Sequence, residues 1–501
     1  MRKLSKKEKD LINTIYSDGM TLFEKAIYDQ NKELLSLYLE EMPNQIQKDY
    51  RHIKKLISTN VDNDFSMVMK FIEFGFPLQD EKSETNLLFE ATRKGNIFLY
   101  DELKKKGLEE IQMKNGNTCL LTALRMHEFT FAWHLINTGC KISQEPITDY
   151  LYDYKKEPDP LNYVTHQIFE KYNQLKEIQK PDEYKFDKFK VIADESYDYN
   201  LNELIKIYNK LIELKVDIEN YNRDGYNSFL YIFDSSPLQY INDIYEHYDK
   251  KISLSKKTMQ SNTPPNLSFL SLSLDRNNPD KFDWILKNQP DVVITNKTRI
   301  PVIEKAIKNY LRLNIGDKID SEIALHYVKE IFKHGGLCNM PHRPVIEKIF
   351  ENIKTPDDPI LNILKDYASD FIIDKEIPGI SSIVPQAGIN INALEWLVKE
   401  KADFNLKDLN GNSILHKIMD SKKDLKAKFD LVLDHTNYEL YNNTNIQGDS
   451  VLDKIEVLWL NDDLEEECDY MKNILLTREK EIILNSLNNE NKKDKINKKR
   501  L

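Results

Sequence analysis

Asn392 to Ile418 reads N-A-L-E-W-L-V-K-E-K-A-D-F-N-L-K-D-L-N-G-N-S-I-L-H-K-I, and its second half spells out the start of a helix. Gly411 lacks a Cβ and so permits a tight turn, while Ser413 carries a hydroxyl that caps the free N–H groups at the first turn of a helix. Ile414 and Leu415 then supply an apolar pair that packs between neighbouring helices. Working outward, the same signal recurs. N-G-N-T-C-L-L-T-A-L-R repeats it from Gly116, with Thr118 as the hydroxyl. Q-G-D-S-V-L-D-K-I repeats it from Gly448, and G-M-T-L-F-E-K-A-I places Gly19, Thr21, Phe23 and Ala26 in the same order. Around Asp224, Gly225, Ser228 and Phe229 the pattern opens another unit. A pattern repeated at intervals of a few tens of residues is that of an array in which each unit packs on its neighbours.

These units resemble the ankyrin repeat. The resemblance rests on the turn glycine, the hydroxyl, the apolar pair and His416. In the first half of the opening stretch it rests on Leu397 and Val398 as second-helix positions and on Ala402, Asp403, Phe404 and Asn405 as the exit turn. It is also carried by Leu88, Ala91, Gly95, Leu103 and Gly107, by the exit glycine Gly139, and by Leu211, Ile212, Val216, Asp217 and Asn220. The resemblance implies an all-α fold, an ankyrin-repeat solenoid of helix pairs with some irregular insertions, of about ten to twelve units at roughly 33 to 43 residues each. It assigns residues 1–144 to N-terminal repeats behind a helical cap, 198–353 to central degenerate repeats, and 387–488 to C-terminal repeats and capping helices. Residues 145–197 read either as an insertion or junction between arrays, or as one degenerate repeat with a long finger loop. Residues 354–386, with little periodicity, read as irregular, and the basic tail 489–501 as disordered.

Composition agrees with a folded chain. Hydrophobic residues at 40% and charged residues at 31% are a globular balance, and 26 tyrosines argue against general disorder. The heavy use of Lys, Asn, Ile, Asp and Tyr suggests an AT-rich genome, such as that of an intracellular bacterium, a large DNA virus or a protist. A net charge of −11 argues against nucleic acid as the partner, because affinity for phosphate backbones comes from clustered Lys and Arg. Cys119, Cys140, Cys338 and Cys468 form no Cys-x-x-Cys, so neither a disulfide framework nor a metal finger is expected. The basic start M-R-K-L-S-K-K-E-K-D is not followed by the apolar run of a signal peptide, and no window is apolar enough for an integral membrane segment.

No phosphate-binding loop, dinucleotide glycine pattern, nucleophile elbow, zinc-protease helix or kinase signature occurs. Cys338 between His334 and His342 is the one arrangement suggestive of a nucleophile or metal, but Gly335, Gly336, Pro341 and Pro344 make that region a turn. His416 reads as a turn-ordering histidine. Trp133, Trp284, Trp396 and Trp459 read as packing between units. The acidic cluster Asp462, Asp463, Glu465, Glu466 and Glu467 reads as a solvated helix face. No catalytic residue, metal ligand or cofactor is therefore expected, and the chain is not expected to be an enzyme.

What the resemblance implies about function is binding of a protein partner, by a monomer, through a concave surface and its finger turns. The turn-tip residues Lys114, Asn115, Tyr221, Arg223, Lys407 and Asp408 are the expected contacts, and Gly116, Thr118, Gly225, Gly411 and His416 the framework. A cytoplasmic location is expected, or delivery into a host cytosol as an effector acting on host proteins. A toxin-neutralising or resident scaffold protein is the alternative within the same class. The alternative of another class is an enzyme with a cryptic site in 145–197 or 354–386, segments below the size at which a domain builds its own core.

Overall fold

A helix pair is often assembled from the same local devices. Its first helix begins at a polar cap: Thr21 accepts from the Glu24 N–H while Glu24 bonds back to Thr21, Asn86 accepts from Leu88, Thr118 from Leu121, and Ser268 from Ser271. At the next opening the cap is Asn227, which accepts from Leu230 at 2.8 Å, one residue before the expected Ser228. The chain then reverses through a residue at positive φ, Gln30, Gly95, His127 or Asn277, and three of these are followed at once by an asparagine that caps the second helix (Asn31, Asn96, Asn278). A second positive-φ residue closes the pair at Gly75, Gly107, Gly139, Lys215 and Lys401.

The computed structural model describes residues 3–12, 14–16, 19–59, 65–80, 85–113, 116–142, 159–177, 184–188, 190–193, 199–220, 226–254, 268–295, 302–311, 320–335, 343–372, 384–408, 410–437, 444–461 and 464–498. Two units, 1–266 and 267–501, divide the chain. In the first, α1 (Lys6–Leu11) precedes the pairs α2 (Leu22–Tyr28) and α3 (Lys32–Glu41), α4 (Tyr50–Thr59) and α5 (Ser66–Glu73), α6 (Leu87–Arg93) and α7 (Ile97–Lys105), and α8 (Cys119–Arg125) and α9 (Phe129–Asn137). They continue with α10 (Pro160–Glu177) and α11 (Tyr199–Glu213), then α12 (Ser228–Ser235) and α13 (Leu238–His247). First helices stack on first helices in the order α2, α4, α6, α8, α10, α12. Their buried faces, such as Leu87, Leu88, Leu120, Leu121, Phe229 and Ile232, form the core. A two-residue antiparallel pair, β1 (Gln79–Asp80) with β2 (Thr85–Asn86), leads into α6.

Residues 145–197 are not a break in this order. Helix α10 packs between α8 and α12, and α11, which follows the segment, packs on α9, so the segment supplies the first helix of one pair. Between its two helices stands an antiparallel hairpin, β3 (Tyr184–Asp187) with β4 (Lys190–Ala193), in register Tyr184↔Ala193. The hairpin is extended structure within an otherwise helical stretch of the chain. The hairpin is anchored by Asn209 on α11, which accepts from the Val191 N–H and donates to the Val191 carbonyl, both at 2.8 Å. Phe186 presses against Tyr172 and Tyr240, with ring centroids 5.2 and 4.8 Å away.

The second unit holds α14 (Phe269–Asp275) and α15 (Pro279–Asn288), the short α16 (Val292–Thr295), α17 (Val302–Tyr310) and α18 (Ser321–Lys333), and α19 (Arg343–Asn352) and α20 (Pro359–Ile372). A 3₁₀ turn (Val384–Ile389) with α21 (Ile391–Lys399), α22 (Ile414–Ser421) with α23 (Leu425–Leu433), and α24 (Val451–Asn461) with α25 (Glu465–Lys498) complete it. First elements again stack in order: α14, α17, α19, the 3₁₀ turn, α22, α24. The expected irregular segment 354–386 thus contains α20, whose Ile360, Leu361 and Leu364 are buried, while its end begins a 3₁₀ turn that takes the place of a first helix. That turn approaches α22 closely. A Cβ added at Gly388 would lie 2.9 Å from the Ile414 carbonyl oxygen and 3.0 Å from the Ile418 nitrogen. Helix α25 runs to Lys498, and no Gly or Pro interrupts the sequence after Glu465. Among the described residues no helix is long and apolar enough to cross a membrane.

Candidate partner-binding turns

Four turns, each leading toward a first helix, share one hydrogen-bond pattern. In each, the first residue donates its N–H to the carbonyl four residues on, and the glycine three residues on donates back to the first carbonyl. The pairs are Tyr16 with Met20 and Gly19, Met113 with Asn117 and Gly116, Asp408 with Asn412 and Gly411, and Asn445 with Asp449 and Gly448, at 2.7 to 3.0 Å. All four glycines sit at positive φ, between 73° and 90°, where a side chain is strained.

The last two turns are fixed by side chains as well. Oδ1 of Asp408 accepts from the N–H groups of Asn410 (2.8 Å) and Asn412 (2.9 Å), and Oδ2 accepts from Nδ2 of Asn412 at 3.1 Å. Asn445 stands at the same position of the next turn and accepts from Gln447 and Asp449, each at 3.0 Å. The turns are also tied to one another. Nδ2 of Asn445 donates to Oδ1 of Asn412 at 3.0 Å, the Ile446 N–H donates to the Asn410 carbonyl at 2.9 Å, and Nε2 of His416 donates to the Asp449 carbonyl at 3.1 Å. Nδ1 of His416 faces the Ser413 N–H (3.2 Å) and hydroxyl (2.8 Å), closing the cap of α22. Burial holds the imidazole below its ordinary pKa, which keeps it neutral and matched to these partners. Elsewhere the exit turns are laced in the same sense: Glu110 accepts from the Lys141 N–H (3.1 Å), Glu219 from Ser253 (2.9 Å) and Asn405 from Asn437 (2.7 Å).

This geometry sorts the expected contact residues. Lys114, Asn115, Tyr221 and Arg223 lie outside the described residues, as does Gly225. Lys407 is half-buried, and the side chain of Asp408 is fully buried, spent on holding the turn; it is not displayed at a tip. The tip is the two residues before the glycine. Asn410, Ile446 and Gln447 are the exposed side chains there, with Ile446 at 75%. Register against the turn glycine was the missed signal: Lys114 and Asn115 immediately precede Gly116, whereas Lys407 and Asp408 stand further before Gly411. The framework residues Gly116, Thr118, Gly411 and His416 occupy the turn and cap positions described above.

Cys119, Cys140 and Cys468 are buried free thiols, and burial pushes Cys119 up to about 12, far from thiolate at neutral pH. Cys338 and His342 lie outside the described residues, and His334 stands 3.8 Å from Glu330. Among the described residues no group of three or more His, Cys, Asp or Glu side chains could hold a metal ion. Trp284 and Trp396 are buried, and Trp133 donates to Glu203 on α11 at 3.3 Å. Trp459 is the exception at 43% exposed; with Ile455, Leu460 and Cys468 it lines a cleft of about 310 Å³ between α24 and α25, rimmed by the Glu456–Lys472 ion pair at 2.7 Å. No family model and no curated protein matches the chain.

Proposed function

We propose that the chain is a protein-binding array, similar to ankyrin-repeat proteins, that engages a protein partner through its finger-turn tips and adjacent first helices and acts by binding, not catalysis. The observation that carries this reading is Ile446: a large apolar side chain held 75% exposed on a turn whose backbone is fixed by hydrogen bonds within the turn and to the turn before. A fixed turn loses little entropy on binding, and an exposed apolar side chain on it gains most from being covered. The repeated lacing of exit turns extends the same rigidity along each unit. The reading covers a resident cytoplasmic protein, a toxin neutraliser, or an effector acting on host proteins in their cytosol.

The test compares proteins retained by the wild-type chain with those retained by Ile446→Asp and by Ile446→Asp/Gln447→Glu, from lysates of the source cell and of candidate hosts. A partner that binds saturably to the wild type and is lost from both folded variants supports the reading. If every retained protein binds the double variant equally, the tips do not carry function.

A further inference from the structure

The first helices of the first unit are basic, although the chain as a whole carries a net charge of −11. Helices α2, α4, α6 and α8 contain Lys25, Arg51, Lys54, Lys55, Arg93 and Arg125 against two carboxylates, Glu24 and Glu90. Both carboxylates do internal work. Glu24 accepts from the Thr21 N–H at 2.8 Å as part of the α2 cap. Glu90 has a side chain only 6% exposed and holds two cations, Lys54 of α4 at 3.2 Å and Arg93 of α6 at 2.8 Å, which are themselves 40% and 41% exposed. Arg51 is matched by Asp49 at 2.7 Å. One buried carboxylate thus fixes two half-exposed cations from adjacent helices and leaves a net positive charge at the surface.

The row continues on either side. Lys55 of α4 stands over the Tyr28 ring of α2 at 4.6 Å, and the guanidinium of Arg125 on α8 stands over the Tyr163 ring of α10 at 6.0 Å. Arg93 and Arg125 each stand seven residues after their helix caps, Asn86 and Thr118, so they occupy the same place on the packed neighbours α6 and α8. A cation in the last turn of a helix is favoured by the helix dipole alone. That preference does not decide this position. Seven residues after the caps Ser268 and Ser413 the second unit has Asp275 and Asp420, each paired to a lysine of the next first helix, Lys305 and Lys454. Nor does the dipole account for Lys54, which lies in the middle of α4. The second unit neutralises this row from helix to helix, and the first unit keeps it cationic.

We propose that Lys54, Arg93 and Arg125 form a docking site for an acidic, extended segment of the protein partner, an inference that rests on the partner-binding reading above. Helices pack about 8–10 Å apart and an extended chain advances about 3.3 Å per residue, so about six residues cross from α4 to α8. Carboxylates on such a segment meet cations already held in place by Glu90 and by the Tyr163 ring, which lowers the ordering cost of binding. A nucleic acid fits less well. It brings charge along its whole length to a chain of net charge −11, and the row offers cations to only a short part of it.

Fluorescence anisotropy with the full chain tests the site, using a labelled peptide of alternating Glu and Thr long enough to cross α4, α6 and α8. Saturable binding that weakens with added salt is expected, and the same peptide with Gln in place of Glu should not bind. Arg125→Glu leaves Glu90 with both its partners and should raise the dissociation constant about threefold or more; Arg93→Gln/Arg125→Glu should raise it about tenfold or more. Circular dichroism checks that both variants fold. Ile446→Asp, in the other unit, should bind the peptide as the wild type does. Equal binding of the Gln peptide, charge variants without effect, or tighter binding of an oligothymidylate of the same length would each overturn the proposal. The two readings fail separately. A cell protein lost on Ile446→Asp while no acidic peptide binds refutes only the acidic-segment site, and peptide binding beside retained proteins indifferent to Ile446→Asp refutes only the tip reading.

Discussion

Replacing Asp408 separates a turn-holding residue from a contact residue. In Asp408→Ala the N–H groups of Asn410 and Asn412 and Nδ2 of Asn412 lose their acceptors, at 2.8, 2.9 and 3.1 Å in the wild type. Asn412 is buried, so its N–H is left without a substitute, at a cost of about 1–3 kcal/mol. Asn410 is exposed and water takes over most of its bond, leaving roughly 0.5–1 kcal/mol. Lys417, at 3.8 Å, is too distant to add a directed bond. The expected loss is about 2–4 kcal/mol in the second unit. Asp408→Asn keeps the Oδ1 acceptor, as Asn445 does in the following turn. It loses only the bond from Nδ2 of Asn412, because two amide nitrogens would face each other, so about 1 kcal/mol is expected. Urea denaturation gives the ordering, and hydrogen exchange at the Asn412 amide locates it. If alanine costs less than 0.5 kcal/mol, or asparagine costs as much as alanine, the side-chain account of the turn is wrong.

Gly388→Ala forces a Cβ to within 2.9 Å of the Ile414 carbonyl oxygen, and this overpacking should cost about 1–3 kcal/mol, measured as a lower denaturation midpoint of the second unit. The buried pair Tyr208–Tyr240, hydroxyl to hydroxyl at 2.8 Å, should show coupling: either single Phe variant strands one buried hydroxyl at about 1–2 kcal/mol, and the double variant costs less than the sum. His416 has its pKa lowered by burial, so as pH falls the unfolded chain takes up the proton first. The stability this histidine contributes is full above about pH 6.5, where the unfolded imidazole is neutral, and is lost as pH falls through that value toward the lower folded one. A His416→Gln variant should flatten the slope of stability against pH in that range; an unchanged slope would falsify the assignment.

The parts of the fold legible in the sequence were those whose cause is local. Thr21, Thr118 and Ser413 announce helix starts because a hydroxyl cap acts within three residues, and Gly107, Gly116, Gly139 and Gly411 announce turns because positive φ favours glycine. Where another residue type does the same work, the signal fades. Lys215 and Lys401 adopt positive φ at exit turns, and Asn86 and Asn227 cap helices that carry no hydroxyl at that position. The role of 145–197 depends on contacts distant in sequence. Asn209 holding the hairpin at Val191, and α10 lying between α8 and α12, leave no periodic trace in the segment itself. At the end of 354–386 the element that takes the place of a first helix is the 3₁₀ turn Val384–Ile389 with Pro385 and Gly388, residues that read as loop until Gly388 is seen against the α22 backbone.

The turn tips show why the candidate site was harder to read than the scaffold. Asp408 and Asn445 lie where a sequence reading places exposed polar residues, yet both are buried, because a carboxylate or amide two to four residues before backbone N–H groups is drawn inward to satisfy them. Polarity therefore misleads in a turn of this kind, and position relative to the glycine decides. Ile446 is the converse: an apolar residue that a hydrophobicity pattern assigns to the core is held outward, because its N–H is committed to the Asn410 carbonyl and Asn445 takes the inward place. The backbone bond that links one turn to the last is thus what displays the side chain. Interference with the ladder at Asn412 should consequently alter the presentation of Ile446 one turn away, and binding that depends on Ile446 should weaken in Asn412→Ala even though Asn412 itself is buried.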